Sequence, residues 1–192
     1  VGNAILDLYS LKKNNYLLKA AISISNYLLN DLNQIDVGKN KKCSSYVSGF
    51  DYKVINVNAF ISSYLARIYS VNNDEYYLAL SREYMNWVIS NQNFDGSWAY
   101  DVDYNLKESH RSKFTKGIDN YHTGFVLDSI QDFCKYSKDF ELMKNHERGI
   151  KFYKENLFTD KFEPKWEDNK KYPIDIHSSA QAIITFSKSS VI

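Results

Sequence analysis

The stretch LYSLKKNNYLLKA, residues 8–20, has a second copy sixty positions later in IYSVNNDEYYLAL, residues 68–80. The two copies agree at several positions, among them Tyr9 with Tyr69, Tyr16 with Tyr76 and Leu18 with Leu78. A third copy, YSKDFELM at residues 136–143, aligns after a short deletion. Three copies in one register indicate a protein built from an internal repeat of about sixty residues.

Each repeat has the hydrophobic periodicity of two helices. Apolar residues recur at spacings of three and four, which is typical of one buried helix face, as in Leu17, Ala21, Ile24 and Leu28. Asp74 and Asp139 stand where helix N-caps belong. The pattern predicts seven helices, near residues 3–12, 15–32, 57–70, 74–91, 119–136, 139–157 and 175–188.

The links between these helices alternate in length. Short links are expected at 12–15, 70–74 and 136–139, and long links at 33–56, 92–118 and 158–174. This alternation is typical of stacked helical hairpins. No segment alternates with period two for long enough to predict a β-sheet of consequence. We therefore predict a single all-α domain of stacked hairpins over residues 1–192.

Composition excludes several classes of function. Lys and Arg total 24 and Asp and Glu total 23, so no charge bias favours nucleic acid or an anionic membrane. No apolar run is long enough to predict a transmembrane segment. The only cysteines, Cys43 and Cys134, form no disulfide framework, which favours a reducing compartment and predicts a cytoplasmic location. Cys134 falls on an apolar stripe and is expected in the core.

Polar side chains cluster where three predicted helices begin, directly after the long links. These corners read Ile55–Asn58 (INVN), Ile118–His122 (IDNYH) and Ile174–His177 (IDIH). Equivalent positions of stacked hairpins lie at the same end of the array. The sequence therefore predicts one polar cleft there, lined by Asn56, Asn58, Asp119, His122, Asp175 and His177. Two carboxylates and two imidazoles beside helix N-termini suit acid–base chemistry, and by residue type could also hold a metal.

Two further segments carry a resemblance to a known family. NQNFDGSW, residues 91–98, resembles the Gln…Asp-Gly-x-Trp signature that follows the outer helices of the α/α toroid superfamily, which includes terpene cyclases and protein prenyltransferase β subunits. DNYHTGFVLDSI, residues 119–130, is similar to the prenyltransferase segment whose histidine is a zinc ligand, and that histidine would be His122. The two Asp/His corners together look most like bacterial toroid proteins found with capsular and extracellular polysaccharide genes. The resemblance implies an α/α toroid fold.

The family's catalytic motifs are incomplete in this chain. Where prenyltransferases supply Asp-x-Cys to zinc, the sequence has Asn56-Val57-Asn58, and two amides do not replace a carboxylate and a thiolate. The cyclase motif Asp-x-Asp-Asp is approached by Asp101-Val102-Asp103-Tyr104 and fails at its last position. We therefore predict no metal and no cofactor.

Several of these residues also have a purely structural interpretation. Gly96 permits a positive φ, and Trp98 and Gln92 could lock one hairpin to the next. A single histidine at such a position would be interpreted as a helix cap, as Asn or Ser would be. Two at matched corners, His122 and His177, each behind an aspartate, support a functional site equally well. Asp101 and Asp103 are expected in a solvated loop. His110 and His146 have polar sequence neighbours and are predicted on the surface.

Three functions remain open. The first is a carbohydrate-active or glycan-binding protein of bacterial polysaccharide assembly or modification. In it, the four residues that bind sugar or transfer protons are Asp119, His122, Asp175 and His177. Tyr121 and Trp98 stack on the sugar, and Asn56 and Asn58 contribute polar contacts. The second is a zinc-dependent prenyltransferase or cyclase-like enzyme. The third is a non-catalytic helical scaffold.

Length bears on the third possibility. A closed toroid of six hairpins needs roughly 350 residues at about sixty per repeat. At 192 residues, the sequence predicts an open arc, completed by the rest of a longer chain or by a second copy in a homodimer.

Overall fold

A computed structural model describes residues 1–102 and 117–189, and within these ranges the chain forms seven α-helices. In chain order they are α1 (Gly2–Lys12), α2 (Asn15–Asn30), α3 (Ile55–Asn72), α4 (Glu75–Ser90), α5 (Asn120–Ser137), α6 (Met143–Asn156) and α7 (Ile176–Ser189). The prediction of seven helices with alternating short and long links is confirmed. Asp103 and His110, whose positions were also predicted, lie outside the described residues.

The short links share one backbone conformation. Lys13, Asn73 and Lys138, which end α1, α3 and α5, are all left-handed, with φ of 52°, 57° and 61°. A left-handed residue ends a helix by turning its backbone N–H toward an unpaired carbonyl of the last turn. The repeat seen in the sequence is therefore also a repeat of chain reversals.

One predicted N-cap is confirmed and one is wrong. The Asp74 carboxylate accepts the Tyr76 N–H at 3.0 Å and caps α4. Asp139 does not cap α6, because that helix begins four residues later, with Leu142 at the cap position. Its carboxylate instead accepts the Glu141 N–H at 3.3 Å in the turn before the helix.

The helices pack in two rows. α3, α5 and α7 lie side by side in one row, with α1 at the edge beside α3, while α2, α4 and α6 form the second row. Large side chains that are almost fully buried fill the space between the rows, among them Leu65, Ile68, Tyr84, Met85, Leu127, Phe133 and Tyr153. The first turns of α3, α5 and α7 consequently lie at the same end of the array.

The segments after α4 and α6 each return to the start of the first-row helix of the same hairpin. Tyr100, after α4, accepts the Ile55 N–H at 3.0 Å, and Trp166, after α6, accepts the Asn120 N–H at 3.2 Å. Each contact satisfies a backbone donor that a helix start would leave unpaired. The long links are thereby fixed against the end of the array that carries the polar corners.

Within the described ranges, the only β-sheet pairs two strands of two residues each, β1 (Gln34–Ile35) and β2 (Cys43–Ser44). The expectation that no sheet of consequence forms is confirmed. None of the helices in this part of the chain combines the length and the apolar character needed to cross a membrane.

The NQNFDGSW segment locks neighbouring hairpins together, as predicted. Gln92 donates to the Asn145 carbonyl at 2.9 Å and accepts from the Asn145 amide at 2.8 Å. The Trp98 indole donates to the Val88 carbonyl at 3.0 Å, and its ring leaves no room for a side chain at Gly149 of α6. Gly96 has φ of +97°, the left-handed side of φ space that glycine tolerates.

The prediction that His146 lies on the surface is wrong. The residue is 3% exposed, and burial lowers the pKa of its imidazole to about 4. The buried stripe of α6 explains the difference, because Gly149, Phe152 and Tyr153 continue back by helical spacing to Asn145 and His146. The core position predicted for Cys134 is confirmed.

Candidate functional site

Asp119 both caps α5 and holds a histidine ring. Its Oδ1 accepts the backbone N–H of His122 at 3.0 Å and lies 2.9 Å from the ring Nδ1 of the same residue. The aspartate side chain is 9% exposed and the histidine side chain 23%. The first contact satisfies an unpaired helix donor, and the second fixes the orientation of the imidazole.

Asp175 and His177 repeat this arrangement at the start of α7. The Asp175 Oδ1 accepts the His177 N–H at 2.8 Å and lies 2.9 Å from its Nδ1. The match between the two corners is not complete, because the histidine follows its aspartate by two residues here and by three at Asp119. Both spacings serve a capping oxygen, which can accept from the second or the third helical N–H.

The ring of Tyr121 lies between the two histidines. Its centroid is 4.1 Å from the centroid of His122 and 5.9 Å from that of His177. Burial, followed by the negative charges of Asp119 and Asp175, raises the pKa of the Tyr121 hydroxyl. The structure thus brings five of the eight predicted site residues together at the first turns of α5 and α7.

The two pairs differ in access to solvent. The His177 side chain is 76% exposed and Asp175 is 20% exposed, whereas Asp119 and His122 are mostly covered. In both pairs an ionised carboxylate requires the proton on Nδ1, so Nε2 of the neutral ring is the atom that can accept a proton. The site therefore contains one covered and one open imidazole in the same tautomer.

Aromatic rings that the sequence reading did not single out surround His122. The Tyr100 ring lies 4.6 Å from the His122 ring, and the Phe125 ring lies 5.9 Å from it. Phe60 of α3 contacts Phe125 at 5.2 Å between centroids and is 41% exposed. Burial raises the pKa of the Tyr100 hydroxyl to about 12, so this hydroxyl stays protonated at neutral pH.

A sequence signal for part of this set existed in the repeat register. Phe60 and Phe125 each lie six residues after the residue at the N-cap position of their helix, Val54 and Asp119. Tyr100 had no such signal, because it reaches the cleft through the backbone contact of its loop with the start of α3.

Two predicted site residues do not reach the open cleft, although Trp98 lines a small cavity together with Asp119 and His122. The Asn58 side chain accepts the Ser44 N–H at 2.7 Å and donates to the carbonyls of Ser44 and Val54 at 3.1 and 2.9 Å. Trp98 is 3% exposed, with its indole N–H bonded in the core. Asn58 therefore holds the long link that precedes α3, and Trp98 holds α4 to α6.

Asn56 lies behind the cleft. The residue is 7% exposed, and its Oδ1 has no hydrogen-bond partner among the described residues. Together with Asp119, His122 and Thr123 it lines a cavity of about 10 Å³ beneath the imidazole. Asn56 thus adjoins the covered Asp–His pair without reaching the open surface.

Two further acids lie near the cleft. Asp101 accepts the Tyr52 hydroxyl at 3.0 Å. Glu167 pairs with Asp119 across a short antiparallel bridge and is 4% exposed, and burial raises the pKa of its carboxyl. Searched over residues 1–102 and 117–189, the structure contains no group of three His, Cys, Asp or Glu side chains placed to hold a metal ion.

Comparison with known proteins gives a fold but no family. The sequence matches no protein-family model and no curated protein sequence. Among solved structures, the chain is similar to cellobiose 2-epimerase from Spirochaeta thermophila, with a TM-score of 0.73 and 16% identity. It is also similar to a family 76 α-mannanase from Bacteroides thetaiotaomicron (TM-score 0.65, 13% identity) and to a family 88 glycosyl hydrolase from Bacteroides vulgatus (0.63, 10%). The chain has an α/α toroid-type fold.

Coverage in these comparisons is asymmetric. The matches include 96%, 99% and 100% of this chain but only 50%, 50% and 60% of the epimerase, the mannanase and the hydrolase. The chain thus spans about half the length of the toroid proteins it resembles.

Proposed function

We propose that the cleft binds a carbohydrate and that His122 and His177 transfer protons to and from it. The observation that carries this proposal is the pair of Asp–His contacts, each 2.9 Å long, on either side of the Tyr121 ring. A carboxylate on Nδ1 fixes the orientation of an imidazole. An imidazole so oriented can serve as a base and, once protonated, as an acid.

The surroundings of the two histidines suit a sugar. The apolar face of a pyranose ring packs on an aromatic side chain. Tyr121 and Tyr100 supply such faces beside His122, and Phe60 supplies another against Phe125. Sugar hydroxyls bond to carboxylates, imidazoles and phenols, which are the polar groups of this cleft. The toroid proteins compared above act on carbohydrates according to their names, which supports the same ligand class here.

Among reactions on sugars, the geometry favours proton abstraction over hydrolysis. Most glycosidases use two carboxyl groups as acid and as nucleophile or base. Here Asp119 and Asp175 are each engaged by the N–H groups of a histidine, which leaves the two imidazoles to exchange protons with the substrate. Epimerisation next to a carbonyl needs one group to remove a proton and another to return it, and two imidazoles meet that need.

We further propose a role in the assembly or modification of bacterial polysaccharide. Its support is the similarity of the two Asp/His corners to toroid proteins found with polysaccharide genes. In this proposal Asn58 and Trp98 do not contact the sugar. Tyr100 and Phe60 contact it in their place.

The proposal is tested by following exchange of sugar protons. The protein is incubated in D₂O with reducing mono- and disaccharides, and deuterium incorporation next to the carbonyl is measured by NMR. His122→Ala and His177→Ala should each abolish incorporation and retain helicity and melting temperature. Lys151→Ala, on the exposed side of α6, is the control and should behave as wild type. Absence of both incorporation and binding with every sugar, or undiminished exchange in the histidine variants, would refute the proposal.

The zinc-dependent alternative has less support. A prenyltransferase-like centre would need a ligand at Asn58, but that amide already makes three hydrogen bonds, to Ser44 and Val54. At His122, the Nδ1 atom is already engaged by Asp119. One remaining imidazole nitrogen does not make a tight zinc site.

A scaffold role is the second candidate, and the exposed face of α7 favours it. Ile176, Ile183 and Ile184 are 75%, 70% and 47% exposed on this helix, which ends the first row. Apolar side chains in such a row are buried when another helix packs on them. We propose that further toroid helices or a second copy cover this face. Light scattering that shows a monomer of this chain would exclude the homodimer.

A further inference from the structure

Asn56 adjoins the Asp119–His122 pair without a direct hydrogen bond. Asn56 lies in α3 and the pair at the start of α5, and all three residues line the same small cavity. Asn56 is only 7% exposed, and its Oδ1 has no hydrogen-bond partner among the described residues. A buried carbonyl oxygen without a donor is destabilising, so native proteins rarely leave one unpaired.

The cavity has the size and the lining of a single water site. Its volume of about 10 Å³ compares with the roughly 10–15 Å³ that one buried water requires. Asn56, Asp119, His122 and Thr123 supply polar atoms along its wall. Cavities that stay empty in proteins are lined by apolar side chains alone, whereas here polar side chains share the wall with Ile55, Trp98 and Val126.

We propose that this cavity holds one structural water that links Asn56 Oδ1 to the carboxylate of Asp119, and that Asn56 is thereby a positioning residue for His122. Asp119 Oδ1 already accepts two N–H groups from His122. A water with one proton on Asn56 Oδ1 has its second proton available for the other carboxylate oxygen. The first turn of α3 then fixes the rotation of the carboxylate that orients the imidazole on α5.

The second Asp–His pair provides an internal contrast. Asp175 is 20% exposed and His177 is 76% exposed, so bulk solvent can solvate that carboxylate directly. The proposal therefore distinguishes a pair fixed by a buried water from a pair that solvent surrounds. It does not depend on the proposed carbohydrate function, because every readout below is made without a sugar.

The test uses two variants of Asn56. Asn56→Leu keeps the approximate shape of the side chain and removes the acceptor, whereas Asn56→Asp keeps an acceptor oxygen. Crystal structures that resolve ordered water should show one water bonded to residue 56 and to Asp119 in wild type and in the aspartate variant, and none in the leucine variant. The wild-type structure tests the water even if the leucine variant does not fold.

The positioning role is tested by NMR. The Nδ1–H proton of His122 should exchange with solvent roughly tenfold faster in Asn56→Leu than in wild type, as expected when about 1.4 kcal/mol of hydrogen bonding is lost. The Nδ1–H proton of His177, in the same sample, should be unchanged. A dry cavity, or a leucine variant in which the His122 proton exchanges as in wild type, would overturn the inference.

Discussion

A single oxygen of Asp119 receives both the backbone N–H and the ring nitrogen of His122, at 3.0 and 2.9 Å. Asp119 therefore caps the helix start and orients the imidazole through one atom. The capping oxygen belongs to Asp119, so His122 is not itself the cap of α5. The two roles can be separated by substitution at position 119.

Asp119→Ala should lower the free energy of unfolding by about 1 kcal/mol, because the N-cap acceptor is lost. Asp119→Asn should cost only a few tenths of a kcal/mol, since asparagine caps about as well. Urea unfolding measures both. Asp74→Ala is the matched control, because Asp74 caps α4 with no histidine on its carboxylate. It should match Asp119→Ala in stability and leave the proposed sugar binding intact. Equal costs for Asn and Ala at position 119 would contradict the capping role.

His146 should make the fold sensitive to acid. Burial lowers the pKa of its imidazole to about 4 in the folded protein, against about 6.5 in the unfolded chain. As the pH falls from 6.5 toward 4, the unfolded chain binds the proton first, so stability is lost across this window, by an amount of order 3 kcal/mol. Above pH 6.5 both states are neutral and the effect vanishes.

His146→Leu isolates this contribution. Asp128 and Glu167 also have a pKa altered by burial, in their case raised, and they remain in both proteins. The unfolding free energy is measured in urea at pH 7 and at pH 5. The stability that is lost on going from pH 7 to pH 5 should be smaller in the leucine variant than in wild type. An identical change in both proteins would show that His146 gains its proton as readily in the fold as in the unfolded chain.

Gly96→Ala should be far more costly than Gly38→Ala. The two glycines have nearly the same φ, +97° and +99°, so alanine meets similar backbone strain at each, about 1–3 kcal/mol. A side chain at position 96 would also overlap the backbone carbonyl of Arg148, whereas nothing lies within 4 Å of a side chain at position 38. Thermal unfolding should show a clearly larger loss for Gly96→Ala, and equal losses would mean that the contact between the turn and α6 relaxes freely.

The purified protein should carry no stoichiometric zinc. The amide at Asn58 is fully bonded inside the protein, Asn56 is an amide, and one nitrogen of His122 faces a carboxylate. These groups supply too few anionic ligands for a tight site. Elemental analysis that finds one zinc per chain, lost on His122→Ala, would disprove this prediction.

The sequence predicted the fold because the repeat expresses it locally. Apolar spacing sets each helix, and residues such as Asp74 and Gly96 mark the turns by their own conformational chemistry. The predicted N-cap at Asp139 was wrong because the link before α6 contains an extra turn, which the short-range pattern does not reveal. His146 misled because its polar sequence neighbours lie on the other faces of the helix.

The candidate site was predicted only where its contacts are local. Asp119 with His122, and Asp175 with His177, are separated by two or three residues, so helix geometry alone brings them together. The positions of Asn58 and Tyr100 depend on the long links. Asn58 bonds to Ser44 of the link before α3, and Tyr100, in the link after α4, bonds to the start of α3. Such pairings depend on how a link of twenty or more residues returns to the array, and the pattern of residue types does not encode that path. The cytoplasmic location inferred from Cys43 and Cys134 stays a prediction.

The starts of α3 and α5 differ in a way that bears on how such a protein can diverge. α5 begins with a side-chain cap from Asp119, whereas α3 begins at Val54 with none, and its first N–H is bonded to the Tyr100 carbonyl of the returning loop. A hairpin in this architecture can therefore gain or lose an acid and an imidazole without losing its helix. Each hairpin can therefore mutate independently of the others. Functional side chains can evolve in one hairpin while its neighbours keep only their structural role.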